Sequence, residues 1–131
     1  MDIAGKSLVS LRDHYRHYLF DEYLPFWDRH GIDHEFGGFI CALDHDGTRV
    51  NESKNMWYQG RGLWTYSYLY RHFGGEQHLA IARKARDFLL AHGRDQHGDW
   101  VTGLDCEGRV VSPATRRVYA GLFVAEGLQA Y

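Results

Sequence analysis

Apolar side chains recur at three- and four-residue spacing over residues 7–27, where Leu8, Leu11, Tyr15, Tyr18, Leu19 and Tyr23 alternate with Arg12, Asp13, Arg16 and Asp21. That spacing predicts an amphipathic helix, and Pro25 followed by Gly31 predicts its end. Residues 76–92 show the pattern again, with Leu79, Ala82, Ala85, Phe88 and Leu89 opposite Arg83, Lys84 and Arg86. A helix there has one wet face. Residues 55–70, NMWYQGRGLWTYSYLY, are different: they are apolar or aromatic on nearly every side, and Arg61 is the single charge between Lys54 and Arg71. Such a helix predicts cover all round, and an arginine within it needs a carboxylate, a carbonyl or a ligand for its five donors. Residues 118–131, VYAGLFVAEGLQAY, read as a second helix of this kind with Glu126 as its one charge, entered through Ser112 and Pro113 as N-cap and first-turn pair.

Two turn-rich segments separate the helices. Residues 39–43 and 48–50 flank Asp44-His45-Asp46-Gly47, which predicts a hairpin, and residues 95–111 repeat the design around a turn at 105–108. Sliding the chain by 61 positions superposes these parts without a gap from His34 to Val50. Gly37 falls on Gly98, Leu43 on Leu104, Asp44 on Asp105, Gly47 on Gly108, Tyr58 on Tyr119, Gly60 on Gly121 and Tyr70 on Tyr131. One unit, about 1–70 and again 71–131, is an amphipathic helix, a hairpin and a helix apolar all round. That alternation predicts a double ring of outer and inner helices, of which two units are only a part. The chain is accordingly expected to be a fragment of a longer protein.

Composition changes this picture little. A chain of 131 residues, 44% hydrophobic and 24% charged, is that of a globular domain, and a net charge of -2 without a basic run argues against nucleic-acid or membrane-surface binding. Two distant cysteines, Cys41 and Cys106, and the lack of a signal-like N-terminus predict reduced thiols and a cytoplasmic location. Aromatic residues make up 15% of the chain, most of them expected in the core. His30, His34 and Glu35 have no common helical face, and Asp44 to Gly47 lacks the spacing of a calcium loop, so no metal is expected.

The run from Lys54 to Arg61, KNMWYQGR, with Trp64 and Leu69-Tyr70 after it and Glu35-Phe36-Gly37-Gly38-Phe39 and Leu43 to Gly47 before it, strongly resembles the N-terminal part of the N-acylglucosamine 2-epimerase family. That family includes cellobiose 2-epimerases and mannose-type aldose-ketose isomerases. The resemblance implies an all-α (α/α)6 barrel (toroid) of six helical hairpins, of which residues 1–131 would be an N-terminal fragment, about one third of a single domain, holding the first two hairpins with short β-hairpins in the connecting loops. It also implies proton transfer at C2 of a free sugar through an enediolate, without a cofactor, by histidines beyond Tyr131; the 131 residues alone are expected to be inactive. Arg61, in the Gln-x-Arg motif, would face the substrate oxygens where charge develops, and Tyr119, in a Tyr-x-x-x-Phe pattern, would hydrogen-bond or stack on the sugar. Trp57 and Phe123 would line the same cavity. The competing reading of Arg61 is an ion pair between inner helices with Glu126, that of Tyr119 is a structural ring like its repeat partner Tyr58, and Trp57, Trp64 and Phe123 read as core ahead of site. Gly60, Gly62, Gly121 and Gly127 each cost about 1 kcal/mol inside a helix, for which close helix approach or room for the sugar is the expected return. The partner is a small-molecule sugar, and the oligomeric state is open, a homodimer included. A glycoside hydrolase or polysaccharide lyase on the same scaffold, with a carboxylic acid pair, and a non-catalytic carbohydrate-binding protein are the alternatives.

Overall fold

The computed structural model describes residues 2–3, 5–116 and 118–131. A short antiparallel pair, β1 (Asp2–Ile3) and β2 (Lys6–Ser7), leads into α1 (Leu8–His17), whose first turn is capped by Ser7 Oγ accepting from the Ser10 N–H at 3.2 Å. The helix continues through a π-helical stretch (Tyr18–Tyr23) into α2 (Leu24–His30). Of the two residues expected to bring it to an end, Pro25 does not interrupt it, and Gly31 ends it as expected. Pro25 lies in the first turn of α2, where its missing N–H is not needed, and the wider π turn before it accommodates the ring.

The hairpin β3 (Ala42–Leu43) and β4 (Arg49–Asn51) follows as expected, closed by Gly47 N–H donating to the Asp44 carbonyl at 3.0 Å. After β5 (Lys54–Asn55) comes α3 (Met56–Phe73), then α4 (Glu76–His92), then β6 (Gly103–Leu104), β7 (Val110–Ser112) and α5 (Tyr119–Ala130). Strand β5 was not expected. It pairs with β6, so the first unit contributes an edge strand to the second unit's hairpin and the sheet order is β5-β6-β7. Ser112 and Pro113 do not start a helix. Ser112 is in the β7 ladder, with its carbonyl accepting from Thr102 N–H at 3.1 Å, and the Pro113 carbonyl accepts from Thr102 Oγ1 at 2.9 Å. Strand pairing holds the Ser112 backbone extended and takes the carbonyl that would otherwise accept the first helical bond.

The repeat is real in space. Ala42 and Leu43 correspond to Gly103 and Leu104, and Arg49 and Asn51 to Val110 and Ser112, all 61 residues apart. It also reaches further back than the sequence match. Ile40 N–H donates to the Gly31 carbonyl as Val101 N–H does to that of Gly93, at 2.8 and 3.0 Å, so the outer helices are in a register of 62 and the intervening turn has one residue fewer in the second unit. In that register Phe26 packs on His30 as Phe88 packs on His92, with ring centroids 4.9 and 5.0 Å apart.

Helix α3 is the centre. It packs on α4 and α5, burying Met56, Leu63, Leu69, Ala82, Ala85, Leu89 and Val124. Helix α4 has the dry and wet faces its pattern predicted, with His78 added to the dry one. Neither α3 nor α5 is covered all round, however. Tyr58, Trp64 and Tyr68 on α3 are 44%, 39% and 42% exposed, and Tyr119 and Leu122 on α5 are 56% and 62% exposed. Hydrophobicity records that a face is suited to cover, while the cover itself depends on what packs there, and among the described residues no further helix packs on these stripes.

Candidate functional site

Three local devices fix where α3 stands relative to the loops and to α5. Asn55 caps the helix, its Oδ1 accepting from Trp57 N–H at 3.1 Å. Gln59, fully buried, grips the Phe39 backbone from both sides, accepting from its N–H and donating to its carbonyl at 2.8 Å each. Gly38, with φ of +82°, passes so close that a methyl there would lie 2.6 Å from Gln59 Oε1. At the crossing of α3 and α5 the two backbones touch: a side chain on Gly60 would overlap the Phe123 carbonyl, and one on Gly127 would overlap the Gly60 carbonyl. Glycine at both places lets the helices approach far closer than alanine would. Gly62 similarly seats the Phe39 ring, while a side chain on Gly121 would press on one atom of the Trp100 ring, at 3.3 Å, without overlapping backbone. Close approach is thus the return on three of the four helical glycines.

That crossing brings the four sequence-predicted site residues together. The Arg61 guanidinium lies 5.5 Å from the Trp57 ring and 5.6 Å from the Phe123 ring. Trp57 and Phe123 are 5.8 Å apart, Tyr119 is 5.9 Å from Trp57, and Tyr119 meets Phe123 edge-on at 5.0 Å. Arg61 is exposed rather than buried, and among the described residues no carboxylate pairs with it, Glu126 included. The ion-pair expectation fails. The flat guanidinium instead rests on two aromatic faces, each such contact being worth about 0.5–1 kcal/mol at an exposed site, and its N–H fork remains uncommitted. It borders two concavities. One, of about 320 Å3, includes Trp27, Phe39, Cys41, Tyr58 and Tyr66. The other, of about 360 Å3, includes Trp64, Thr65, Phe123 and Glu126. Trp64, expected in the core, is on its surface.

Two buried polar groups were not singled out from the sequence. Lys54 is wholly buried, with Nζ 2.7 Å from Asp33 Oδ2 and from the carbonyls of Gly37 and Cys106, and 3.9 Å from the centre of the Phe88 ring. All three of its donors are used, so it ties the loops of both units to α4 and has nothing left for chemistry. Burial opposes ionisation of Asp33, but the Lys54 bond and charge and the N–H groups of Phe36 and Glu35 outweigh it and hold its pKa below the ordinary 3.8. Behind α3, Tyr66 donates to Asp28 Oδ1 at 2.6 Å, and burial first, then that bond, pushes its phenol well above the usual range. His78 lies beside it, 6.0 Å away, with Nδ1 buried and unpartnered; burial lowers its pKa below 6.5 against the opposing charge of Asp28. The signal for His78 was a polar residue on the otherwise dry face of α4. Cys41, whose thiol is pushed up mainly by burial despite bonds from Asn55 and Gln59, is no activated nucleophile.

Among the described residues no group of three or more His, Cys, Asp or Glu could hold a metal ion, and no helix is long and apolar enough to cross a membrane. His34 is engaged with the Asp28 carbonyl at 2.7 Å, and the His30 ring lies under Gly47. Across known proteins, the family profile for N-acylglucosamine 2-epimerase (GlcNAc 2-epimerase) matches residues 37–129, which contain the whole cluster. The chain belongs to the N-acylglucosamine 2-epimerase family. Mouse N-acylglucosamine 2-epimerase is 38% identical over 77 residues, covering 56% of this chain and 18% of that protein. Cellobiose 2-epimerase of Bacteroides fragilis is 29% identical over 110 residues, 82% of this chain and 28% of that protein. Among solved structures, cellobiose 2-epimerase from Bacillus thermoamylovorans superposes with a TM-score of 0.82 at 28% identity, over 95% of this chain and 32% of that one. The chain therefore spans about a third or less of the length of these epimerase-family relatives.

Proposed function

We propose that the protein containing this chain is a sugar 2-epimerase or aldose-ketose isomerase, acting on a free sugar by proton transfer at C2, and that Arg61 stabilises the enediolate. The supporting observation is the Arg61 guanidinium seated on Trp57 and Phe123 with its donors free, at the α3–α5 crossing where Tyr119 meets the same two rings. Removing a proton next to a carbonyl leaves negative charge on oxygen, and a planar cation already held in place meets that charge without reorganisation. Tyr119 supplies a phenol for a sugar hydroxyl and an edge for stacking. Trp57 and Phe123 offer ring faces to the C–H side of a sugar.

The exposed stripes of α3 and α5 suit inner staves of a six-unit (α/α)6 barrel, with this chain as two units. Further helices would enclose Arg61 and supply the general acid and base, a role for which histidine is the usual choice near neutral pH. The 131 residues alone would then offer a wall of the site without turnover. A homodimer and a cytoplasmic location remain part of this proposal. The test is Arg61→Ala and Arg61→Lys in the whole enzyme, following solvent deuterium entry at C2. We expect kcat to fall by about 10²–10³ for alanine, as for loss of an oxyanion donor, with lysine recovering only part. Wild-type turnover in Arg61→Ala would remove Arg61 from the mechanism, and transfer to glycosides instead of free sugars would favour a hydrolase.

A further inference from the structure

The concavity of about 360 Å3 beside Arg61 has two charges facing it, Arg61 from α3 and Glu126 from α5, and two rings, Trp64 and Phe123, with Thr65 between. Both charged side chains are exposed, and no ion pair joins them or ties either to another described residue. Phe123 and Glu126 are three residues apart on one helix, so the ring that holds the guanidinium also stands beside the carboxylate, and the contact of the Gly60 and Gly127 backbones fixes the two helices in that relation. Thr65 Oγ1 donates to the Arg61 carbonyl at 2.9 Å, which leaves the hydroxyl as an acceptor toward the cavity.

Resting on the epimerase reading, we propose that Glu126 is a specificity-determining residue of the same site, accepting hydrogen bonds from hydroxyls of a neutral sugar whose ring lies against Trp64 and Phe123. A carboxylate has only acceptors, a guanidinium only donors, and a sugar hydroxyl is both, so the pair reads a hydroxyl-rich ligand from two sides. Their formal charges cancel across the cavity. A neutral sugar gains both sets of bonds, whereas a sugar acid meets repulsion from Glu126.

The test uses the whole enzyme, with Glu126→Gln and Glu126→Ala assayed on D-mannose, D-glucose, N-acetyl-D-glucosamine and D-glucuronate. A hydrogen bond to a charged group is worth about 1.5–3 kcal/mol, so Glu126→Ala should raise KM for the neutral substrate by about tenfold or more while kcat changes little. Glu126→Gln should raise it less and should improve binding of glucuronate relative to the neutral sugar, an inversion that a merely structural glutamate would not produce. An unchanged KM and an unchanged neutral-to-acid ratio in both variants would overturn the assignment. If the wild type shows no deuterium entry at C2 on any sugar, yet the Glu126 variants still weaken sugar binding, the epimerase reading fails while Glu126 stands as a sugar ligand.

Discussion

Helices α3 and α5 occupy equivalent places in two copies of one structural unit, yet corresponding positions do different work. Gln59 clamps the Phe39 backbone, while its counterpart Ala120 is simply buried. Tyr58 and Tyr119 are both exposed rings near Trp57, at 4.2 and 5.9 Å. Arg61 holds its cation over two rings; Leu122, its counterpart, presents an exposed aliphatic chain. The repeat determines the scaffold, because each unit buries its dry faces by the same geometry. The copies depart from each other at Gln59, Arg61 and their counterparts because the shared burial geometry does not demand those residues.

That contrast can be broken in graded steps. Lys54, whose counterpart is Thr115, carries the largest expected stability effect: Lys54→Ala leaves Asp33 buried without its cation and should cost about 3–5 kcal/mol in denaturant unfolding, an effect absent if the loops relax to admit water. Gly60→Ala, at the contact of the two helices, should cost about 1–3 kcal/mol and lower Arg61-dependent turnover with it. Gln59→Ala strands the Phe39 N–H and carbonyl and should likewise cost about 1–3 kcal/mol. Leu122→Ala, at the site equivalent to Arg61, should stay within about 0.5 kcal/mol in the isolated chain, whereas a larger loss would show that this face is already packed.

Acid titration probes the buried groups in the same order of strength. Asp33 has a lowered folded pKa, so its contribution is full above its ordinary value of 3.8 and is lost as pH falls through the lower folded value. His78 is also lowered, from 6.5, so between its folded value and 6.5 the unfolded chain binds more protons than the folded one and stability falls with decreasing pH. Thermal midpoints should therefore decline as pH drops below 6.5, and His78→Phe should flatten that slope. An identical slope in the variant would assign the decline to other groups.

Periodicity located α4 and the two hairpins well because each obeys a local rule, a one-sided dry stripe or a turn flanked by short extended runs. At the end of the first helix it was right about Gly31 but not about Pro25, which the chain passes by way of a π turn, and it failed at Ser112, whose backbone went to a strand partner instead. Strand β5 was invisible because two polar residues carry no alternation and pair only with a segment some fifty positions away. Arg61, Tyr119, Trp57 and Phe123 could be named beforehand from motif and resemblance, but Glu126 entered only as a supposed ion-pair partner.

By itself the sequence determined the two-unit repeat, the helix types and the family, since periodic burial and motif spacing are properties of the chain order. Tertiary structure decided what those residues do. Whether Arg61 would be an ion-pair partner or an open fork depended on how closely α3 and α5 approach, which rests on Gly60 meeting Gly127 from the other unit. Whether Gln59 and Lys54 would be site or scaffold depended on the distant carbonyls and carboxylate that satisfy them. Contacts of that kind join residues far apart in sequence, and no local pattern encodes them.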